Sequence, residues 1–200
     1  MSLPDLVVFD LGRVLIDVDF ERFVHAIGHD EAARADLRAF TSGDDKLSSD
    51  RGEISPRELA QRAIVSTSIN TQTDTFLRAW VDIFRPFSRA RRAIAALHGR
   101  TELWMLSDTD PLHFHRAFED YGYVRGFDRY LLSYVEGRLK RDAGAFEPLA
   151  ERARAGARVV FIDDVADHVE RARAAGVDAV LFRAWDDPTL PDWLRRAAEE

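Results

Sequence analysis

Four short apolar runs in this 200-residue chain are each followed directly by a polar residue. The runs cover residues 6–9, 103–106, 130–132 and 159–162, and they are followed by Asp10, Ser107, Ser133 and Asp163. Runs of this length are typical of strands buried in a sheet. Open α/β sheets place their active sites at the carboxyl ends of their strands. We therefore expect these polar residues to form one shared site.

The order of the helical and strand-like patterns predicts how the sheet is covered. From about residue 89, apolar runs alternate with helical patterns, which favours a parallel sheet with helices on both faces. Residues 17–88 are instead almost entirely helical in pattern, with apolar residues at helical spacing from Phe20 to Ile27. Residues 43–52 are predicted to form a polar loop within this insert. The insert would lie above the strand ends as a lid.

Composition narrows the class of partner. The formal net charge is −7, which argues against binding to nucleic acid or to an anionic membrane, because both need clustered positive charge. The chain has no cysteine, so a disulfide framework, a thiol nucleophile and a thiolate metal site are excluded. No apolar stretch approaches the ~20 residues that span a bilayer, and the first residues lack the pattern of a signal peptide. We expect a cytoplasmic protein that binds a small molecule.

Five residues at or near the predicted strand ends supply the parts of a phosphoryl-transfer site. They are Asp10, Ser107, Lys140, Asp163 and Asp164. A carboxylate that attacks a phosphate meets charge repulsion, and a bridging Mg²⁺ ion relieves it. Carboxylates and water are the ligands that Mg²⁺ usually takes in proteins, while a lysine and a strand-end hydroxyl can hold the phosphate oxygens. The set predicts a magnesium-dependent site for a phosphorylated metabolite.

Four segments in this chain order resemble the haloacid dehalogenase (HAD) superfamily. They are Val-Phe-Asp-Leu-Gly-Arg-Val-Leu at 8–15, Met-Leu-Ser-Asp-Thr at 105–109, the stretch 133–140 that ends in lysine, and Val-Phe-Ile-Asp-Asp at 160–164. The resemblance runs over nearly the full length of the chain. It implies an α/β fold, namely a Rossmann-like, doubly wound parallel sheet with a helical cap inserted after the first strand. The core would comprise residues 1–16 and 89–200, and the cap residues 17–88.

The resemblance also implies roles for individual residues. Asp10 would be the nucleophile that forms an aspartyl-phosphate, and Lys140 would stabilise it. Asp10, Asp164 and the backbone carbonyl of Gly12 would ligate Mg²⁺. Asp163 would stand behind these ligands. The implied reaction is the hydrolysis of a phosphoric monoester.

Further residues are assigned to the substrate and to the surroundings of the metal. Ser107, Asp108 and Arg13 are expected to contact the phosphate. Asp167 and His168 stand where this family usually has the residue that orients a metal ligand, so both are expected to lie behind the metal site.

Gly12 departs from the pattern of most HAD phosphatases, which carry a second aspartate at this position to protonate the leaving oxygen. The Asp-x-Gly form resembles a subgroup that includes bacterial α-glucose-1-phosphate phosphatases, which share a stretch like Ile-Asp-Val-Asp-Phe at 16–20. Losing a proton donor typically costs ~10²–10⁴-fold in rate. We therefore predict a preference for good leaving groups, such as anomeric sugar phosphates.

Two alternatives stay open at this stage. A metal-free haloacid dehalogenase shares the aspartate, serine and lysine, although its pattern has tyrosine where Gly12 stands. A HAD-like binding protein with little or no turnover is favoured by Gly12, Arg13 and His168 together.

The remaining polar and aromatic residues are given plainer interpretations. Lys46 belongs to a predicted cap loop that could contact the substrate or be plainly solvated, and the solvated interpretation is preferred. His113 is expected to be solvated or to lie behind the catalytic residues. Trp80 and Phe84 are assigned to the core of the cap rather than to a substrate platform.

Overall fold

Seven strands lie within residues 2–200, the part of the chain that the computed structural model describes. In chain order they are β1 (Leu6–Phe9), β2 (Ile16–Val18), β3 (Phe84–Pro86), β4 (Glu102–Ser107), β5 (Arg129–Leu132), β6 (Val159–Asp163) and β7 (Asp178–Leu181). Five of them form a parallel sheet in the order β5-β4-β1-β6-β7, and β2 and β3 form a separate antiparallel pair.

The helices fall into a cap group and a core group. The cap group is α1 (Phe20–Ile27), α2 (Glu31–Phe40), α3 (Asp44–Asp50), α4 (Pro56–Ser66) and α5 (Thr73–Val81). The core group is α6 (Ser88–Leu97), α7 (Pro111–Asp120), α8 (Ser133–Glu136), α9 (Glu147–Arg154), α10 (Ala166–Ala174) and α11 (Asp192–Glu199), with a 3₁₀ helix at Gly122–Arg125. Ser55 caps α4 by accepting a hydrogen bond from the backbone N–H of Glu58 at 3.1 Å. No helix within residues 2–200 is both long enough and apolar enough to cross a membrane.

Strand β1 is buried along its whole length, because helices cover both faces of the sheet. Val7 and Phe9 point into a core shared with the cap and α6, whereas Leu6 and Val8 point into a second core on the opposite face. The α/β fold class, a Rossmann-like parallel sheet with a helical cap after the first strand, is confirmed.

The position of β1 in the sheet explains where the polar strand ends meet. Its neighbours are β4 on one side and β6 on the other, so the strand order turns at β1. Ligands of open α/β sheets bind at such a turning point, outside the carboxyl ends of the strands. Asp10, Ser107 and Asp163 follow or end these three adjacent strands.

The cap is held together by an aromatic cluster. Trp80 is fully buried and its ring lies 4.8 Å from that of Phe23 and 5.8 Å from that of Phe76, measured between centroids. Aromatic rings contribute large buried areas and favour such edge-on and offset contacts. Trp80 is therefore a core residue of the cap, as its helical spacing indicates.

Two features of the cap differ from expectation. Residues 44–50 form α3 and not a polar loop, because the helix buries Lys46, Ser49 and Asp50 against the rest of the cap. The antiparallel pair of β2 and β3 is not predicted either, because strands of three residues are too short for a periodic pattern. The chain enters the cap through β2 and leaves it through β3. This pair lies close to the expected limits at 16–17 and 88–89, which stay a prediction.

Candidate active site

Asp10 lies at the carboxyl end of β1 with only 7% of its surface exposed. Its backbone N–H donates to the carbonyl of Ile162 at 2.9 Å, which extends the pairing of β1 with β6 by one residue. Its side-chain Oδ1 lies 2.6 Å from Nζ of Lys140. The carboxylate is thus fixed at the end of the sheet by backbone and side-chain contacts.

Lys140 is buried between two carboxylates. Its Nζ lies 2.6 Å from Asp10 and 2.5 Å from Oδ2 of Asp163. Burial alone would lower the pKa of Lys140, but the charges of Asp10 and Asp163 outweigh it and move the pKa above its ordinary value. The side chain is therefore an ammonium group at neutral pH.

The loop that carries Lys140 is held by hydrogen bonds from its backbone to two aspartates. The backbone N–H of Lys140 donates to Oδ1 of Asp108 at 2.9 Å, and that of Leu139 donates to Oδ2 of Asp142 at 2.8 Å. Asp108 also lines the cavity beside Asp10. One of its oxygens is already used by the loop, which leaves the other free to face a ligand.

Asp163 is fully buried and makes contacts on both of its oxygens. Oδ1 accepts from the backbone N–H of Val165 at 2.8 Å and lies 3.2 Å from Nδ1 of His168, while Oδ2 faces Lys140. Burial would raise the pKa of Asp163, but Lys140 and His168 outweigh it and hold the pKa below its usual range. Asp163 therefore stays ionised and fixes both Lys140 and His168.

Three carboxylates converge at this end of the sheet. Asp10, Asp163 and Asp164 each offer one oxygen, and these oxygens all lie within 4.8 Å of one another. Burial, reinforced by Asp163 and Asp164 and opposed by Lys140, raises the pKa of Asp10 to about 7. Burial and the charge of Asp163 raise the pKa of Asp164 as well.

The donor set fits a divalent cation. Carboxylate oxygens are hard donors of the kind that Mg²⁺ prefers. Three carboxylates meet here, and Lys140 supplies a single positive charge in contact with two of them. A bound cation would remove that imbalance, so the trio could hold a metal ion.

The turn after Asp10 brings Gly12 and Arg13 to the rim of the site. The backbone N–H of Arg13 donates to the carbonyl of Ile16 at 2.6 Å, and Arg13 adopts a left-handed conformation with φ of 58°. A Cβ atom on Gly12 would lie 3.3 Å from Cγ2 of Val18, so strand β2 packs closely over the glycine. Both residues line the cavity.

Arg13 is the most exposed of the predicted site residues at the cavity. Its side chain is 63% exposed, and Nη1 lies 3.7 Å from Oδ2 of Asp164. The guanidinium thus stands at the mouth of the site, where a phosphate oxygen could reach it.

Ser107 ends β4 and is buried in the wall of the cavity that Asp10 also lines. Behind it, Oγ of Ser133 accepts from the backbone N–H of Thr109 at 2.9 Å and donates to the carbonyl of Thr109 at 3.1 Å. Ser133 therefore joins the ends of β4 and β5, and it contributes to the shape of the site.

Asp167 does not join the other predicted residues. Its carboxylate is exposed and pairs with Nε of Arg171 at 2.7 Å on the surface of α10. Helical spacing places it on the outer face, one residue before His168, which turns inward to Asp163. The expectation that Asp167 lies behind the metal site is wrong.

The cavity above the carboxylates has a volume of about 260 Å³. Core and cap both contribute to its walls. Its apolar side is formed by Ile16, Val18, Phe20, Phe84 and Val165. Phe84 was assigned to the cap core; it is buried, but it also borders this space.

Lys46 lies in the wall of the same cavity, contrary to the expectation of a solvated loop. Its side chain is 10% exposed, and Nζ lies 2.5 Å from both oxygens of Asp50, one helical turn along α3. The error follows from the missed helix, since only helical geometry brings residues four apart together. A lysine and an aspartate at this spacing are the signal that could have found the pair.

A buried hydrogen-bond network around Asp110 is not predicted from the sequence. Asp110 caps α7 by accepting from the backbone N–H groups of Leu112 and His113, and it accepts from Nε1 of Trp80 at 3.1 Å. His113 is buried, with Nδ1 2.8 Å from Asp110 and Nε2 2.8 Å from the carbonyl oxygen of Trp80. The expectation that His113 is solvated is wrong, because the residue is buried in the wall of the cavity. The network joins the cap helix α5 to the core helix α7.

The chain is similar to known proteins in both sequence and structure. The family model for haloacid dehalogenase-like hydrolases matches residues 4–176. A HAD family enzyme from Bacteroides thetaiotaomicron, solved with magnesium and inorganic phosphate, has a TM-score of 0.77 at 20% identity, over 94% of this chain and 98% of that one. A HAD-like family hydrolase from Porphyromonas gingivalis has a TM-score of 0.75 at 22% identity, over 92% and 95%.

The fold is also similar, at a lower TM-score, to that of a dehalogenase. The L-2-haloacid dehalogenase from Xanthobacter autotrophicus, solved with chloropropionic acid covalently bound, has a TM-score of 0.64 at 14% identity. The match covers 88% of this chain and 76% of that one.

Proposed function

We propose that this chain, which belongs to the haloacid dehalogenase-like hydrolase family, is a magnesium-dependent phosphatase for a small phosphorylated metabolite. The observation that carries the proposal is the carboxylate trio of Asp10, Asp163 and Asp164 around Lys140. A metal-free dehalogenase has no need for three converging acids. The magnesium and inorganic phosphate in the Bacteroides enzyme support the same choice of metal and substrate class.

Asp10 is the proposed nucleophile. One of its oxygens contacts Lys140, which leaves the other to attack phosphorus. The new O–P bond gives an aspartyl-phosphate as the bond from phosphorus to the leaving oxygen breaks. Water then attacks phosphorus, releases inorganic phosphate and restores the carboxylate of Asp10.

Lys140, Ser107 and Arg13 would bind the phosphate oxygens. Lys140 offsets charge on Asp10 and on the transferred group, the hydroxyl of Ser107 donates from the end of β4, and Arg13 approaches from the rim. Asp10, Asp164 and the carbonyl of Gly12 would hold Mg²⁺, with Asp163 and His168 behind them. When bound, the ion neutralises the repulsion between the carboxylate and the phosphate.

The oxygen that leaves phosphorus has no evident proton donor among the site residues considered for that role. No carboxyl group stands at Gly12, both ring nitrogens of His113 already have partners, and Nδ1 of His168 faces Asp163. A leaving group that departs as a weak base needs less help from an acid. We therefore propose a good-leaving-group phosphate, such as an anomeric sugar phosphate, as the substrate.

The test is a panel of phosphate esters assayed for inorganic phosphate release with and without Mg²⁺. We expect turnover of glucose 1-phosphate only with the metal, and loss of at least ~10²-fold in Asp10→Asn. The control is Asp74→Asn, an exposed cap aspartate that pairs with the similarly exposed Arg57. Release of chloride from 2-chloropropionate without metal would favour a dehalogenase, and equal inactivity of wild type and Asp10→Asn on every ester would contradict the proposal.

A further inference from the structure

The chain uses lysine at only two of its 28 Lys and Arg positions, and these are Lys46 and Lys140. Both are buried, and both line the cavity that holds Asp10. Lysine carries a compact ammonium with three donors, whereas arginine carries a wide planar fork. A chain that uses arginine at every other cationic position keeps an ammonium at these two places, which face one space.

Asp50 holds Lys46 in a defined position. Both carboxylate oxygens of Asp50 lie 2.5 Å from Nζ, and Nζ also lies 5.9 Å from the ring centroid of Trp80. Lys46 borders the cavity and Asp50 does not. The aspartate thus contacts the lysine without itself lining the cavity.

Stability alone does not account for this pair. Burying two charges carries a desolvation cost that their attraction often fails to offset, and apolar replacements are frequently neutral or stabilising. Burial raises the pKa of Asp50 even though Lys46 is in contact with it. The attraction of Lys46 therefore does not fully offset the desolvation of the Asp50 carboxylate. A costly ion pair in the wall of a cavity is typical of a binding site.

We propose that Lys46 donates a hydrogen bond to a hydroxyl oxygen of the substrate's leaving group, not to the oxygen of the bond that breaks, with Asp50 as its positioning residue. The inference rests on the proposed phosphatase function, because it takes the phosphate end of the substrate to lie at Asp10 and Lys140. An ammonium has three N–H donors, and Asp50 provides only two acceptor oxygens. Because Lys46 lines the cavity, the remaining donor can serve a ligand there.

The same geometry indicates the chemical class of the leaving group. The Lys46–Asp50 pair has no net charge, so it favours a neutral hydroxyl oxygen over a second phosphate. The cavity volume of about 260 Å³ lies below the ~300 Å³ at which pockets for drug-sized ligands begin. Phe20 and Phe84 supply an apolar wall. These features suit a small polyhydroxy group with one apolar face, such as a monosaccharide.

The two-lysine composition allows a direct test by NMR. Protein labelled at the lysine side chains gives two lysine signals, and Lys46→Arg assigns them. The measurements use Asp10→Asn with Mg²⁺, so that no ligand is turned over. We expect inorganic phosphate to shift the Lys140 signal, and glucose 1-phosphate to shift both signals.

Affinity gives a second readout in the same background. A hydrogen bond from a charged donor contributes enough that its loss weakens binding about 10- to 100-fold. We therefore expect Lys46→Met to lower the ratio of glucose 1-phosphate affinity to phosphate affinity by that factor, as measured by calorimetry. Arg62→Met, an exposed cation on α4, is the matched control. Thermal unfolding checks that each variant is folded.

Several results would overturn the inference. The first is that glucose 1-phosphate shifts the Lys140 signal but leaves the Lys46 signal unchanged. The second is that inorganic phosphate shifts the Lys46 signal as much as glucose 1-phosphate does. The third is that Lys46→Met leaves the affinity ratio unchanged. Tighter, Lys46-dependent binding of glucose 1,6-bisphosphate would instead identify a second phosphate site and overturn the neutral leaving group.

The two proposals fail separately in this design. A wild type that releases no phosphate, but whose Lys46 signal responds to glucose 1-phosphate, contradicts the phosphatase and keeps the binding role. If neither lysine responds to either ligand, phosphate does not enter this cavity and both proposals fall.

Discussion

Arg51 at the end of the cap helix α3 and Asp142 in the loop after Lys140 form a two-point ion pair. Nε of Arg51 lies 3.1 Å from Oδ2 of Asp142, and Nη2 lies 3.1 Å from Oδ1. Oδ2 also accepts the backbone N–H of Leu139. One carboxylate therefore connects the cap to the loop that positions the buried lysine beside Asp10.

This connection predicts different effects for two replacements of Asp142. Asp142→Asn keeps an oxygen for the backbone of Leu139, whereas Asp142→Ala removes it. Because the ion pair is partly exposed, its loss should lower the free energy of unfolding by under about 1 kcal/mol. We expect Asp142→Ala to reduce kcat/KM several-fold more than Asp142→Asn. Equal kinetics in the two variants would show that the Leu139 contact does not position Lys140.

Installing an acid at Gly12 should broaden the range of leaving groups. A positioned proton donor contributes about 10²–10⁴-fold, so Gly12→Asp should raise the turnover of alkyl phosphates relative to glucose 1-phosphate. The new Cβ would lie 3.3 Å from Cγ2 of Val18. The double variant Gly12→Asp/Val18→Ala relieves that contact and is the control for crowding. A fall in activity on all esters in both variants would count against the missing-acid explanation.

The trio of carboxylates predicts stabilisation by magnesium. A ligand at a hundred times its Kd stabilises the folded state by about 2.7 kcal/mol, which corresponds to several degrees in Tm for a chain of this size. We expect Mg²⁺ to raise the Tm of the wild type and of Asp74→Asn, but not of Asp164→Asn. An equal shift in Asp164→Asn would place the ion elsewhere.

The Asp110 network predicts a pH dependence of stability. Burial would raise the pKa of Asp110, but the charge and hydrogen bonds of His113 outweigh it and hold the pKa well below its ordinary value. The ionised carboxylate therefore stabilises the fold above the unfolded pKa of about 3.9, and this contribution is lost as the pH falls toward the folded value.

We expect Asp110→Asn to lower the free energy of unfolding by about 1–3 kcal/mol at pH 7. The difference from the wild type should shrink below about pH 4, where the unfolded wild-type carboxyl becomes protonated. Urea unfolding at pH 7 and at pH 3 measures both values. A difference that stays constant between these pH values would rule out the carboxylate charge as its source.

The sequence predicts the sheet and the position of Asp10 at its edge more fully than the cap. Continuous apolar runs such as that before Asp10 have few structural alternatives, and the polar residues that end them meet because parallel strands share one edge. The helix α3 has no such pattern: it buries Lys46 and Asp50, and its polar residues are typical of a loop. Its helical form follows from tertiary contacts that a local pattern does not contain.

Asp167 and His168 illustrate a second reason why local patterns are incomplete. Both stand in the first turn of α10, at adjacent positions where a residue near the metal is expected. Adjacent helical residues point about 100° apart, so only one of them can face Asp163. The choice between them depends on how the helix is rotated against the sheet.

Because both lysines are buried, the surface charge of this protein is carried by guanidinium and carboxylate groups, with no side-chain amine among them. Amine-directed reagents, including common crosslinkers and coupling resins, are therefore expected to leave the lysine side chains of the folded protein largely unmodified. The side chains of Lys46 and Lys140 would become reactive only when the cavity opens or the chain unfolds. Mass-spectrometric labelling of just two amines would then follow the opening of this cavity over time.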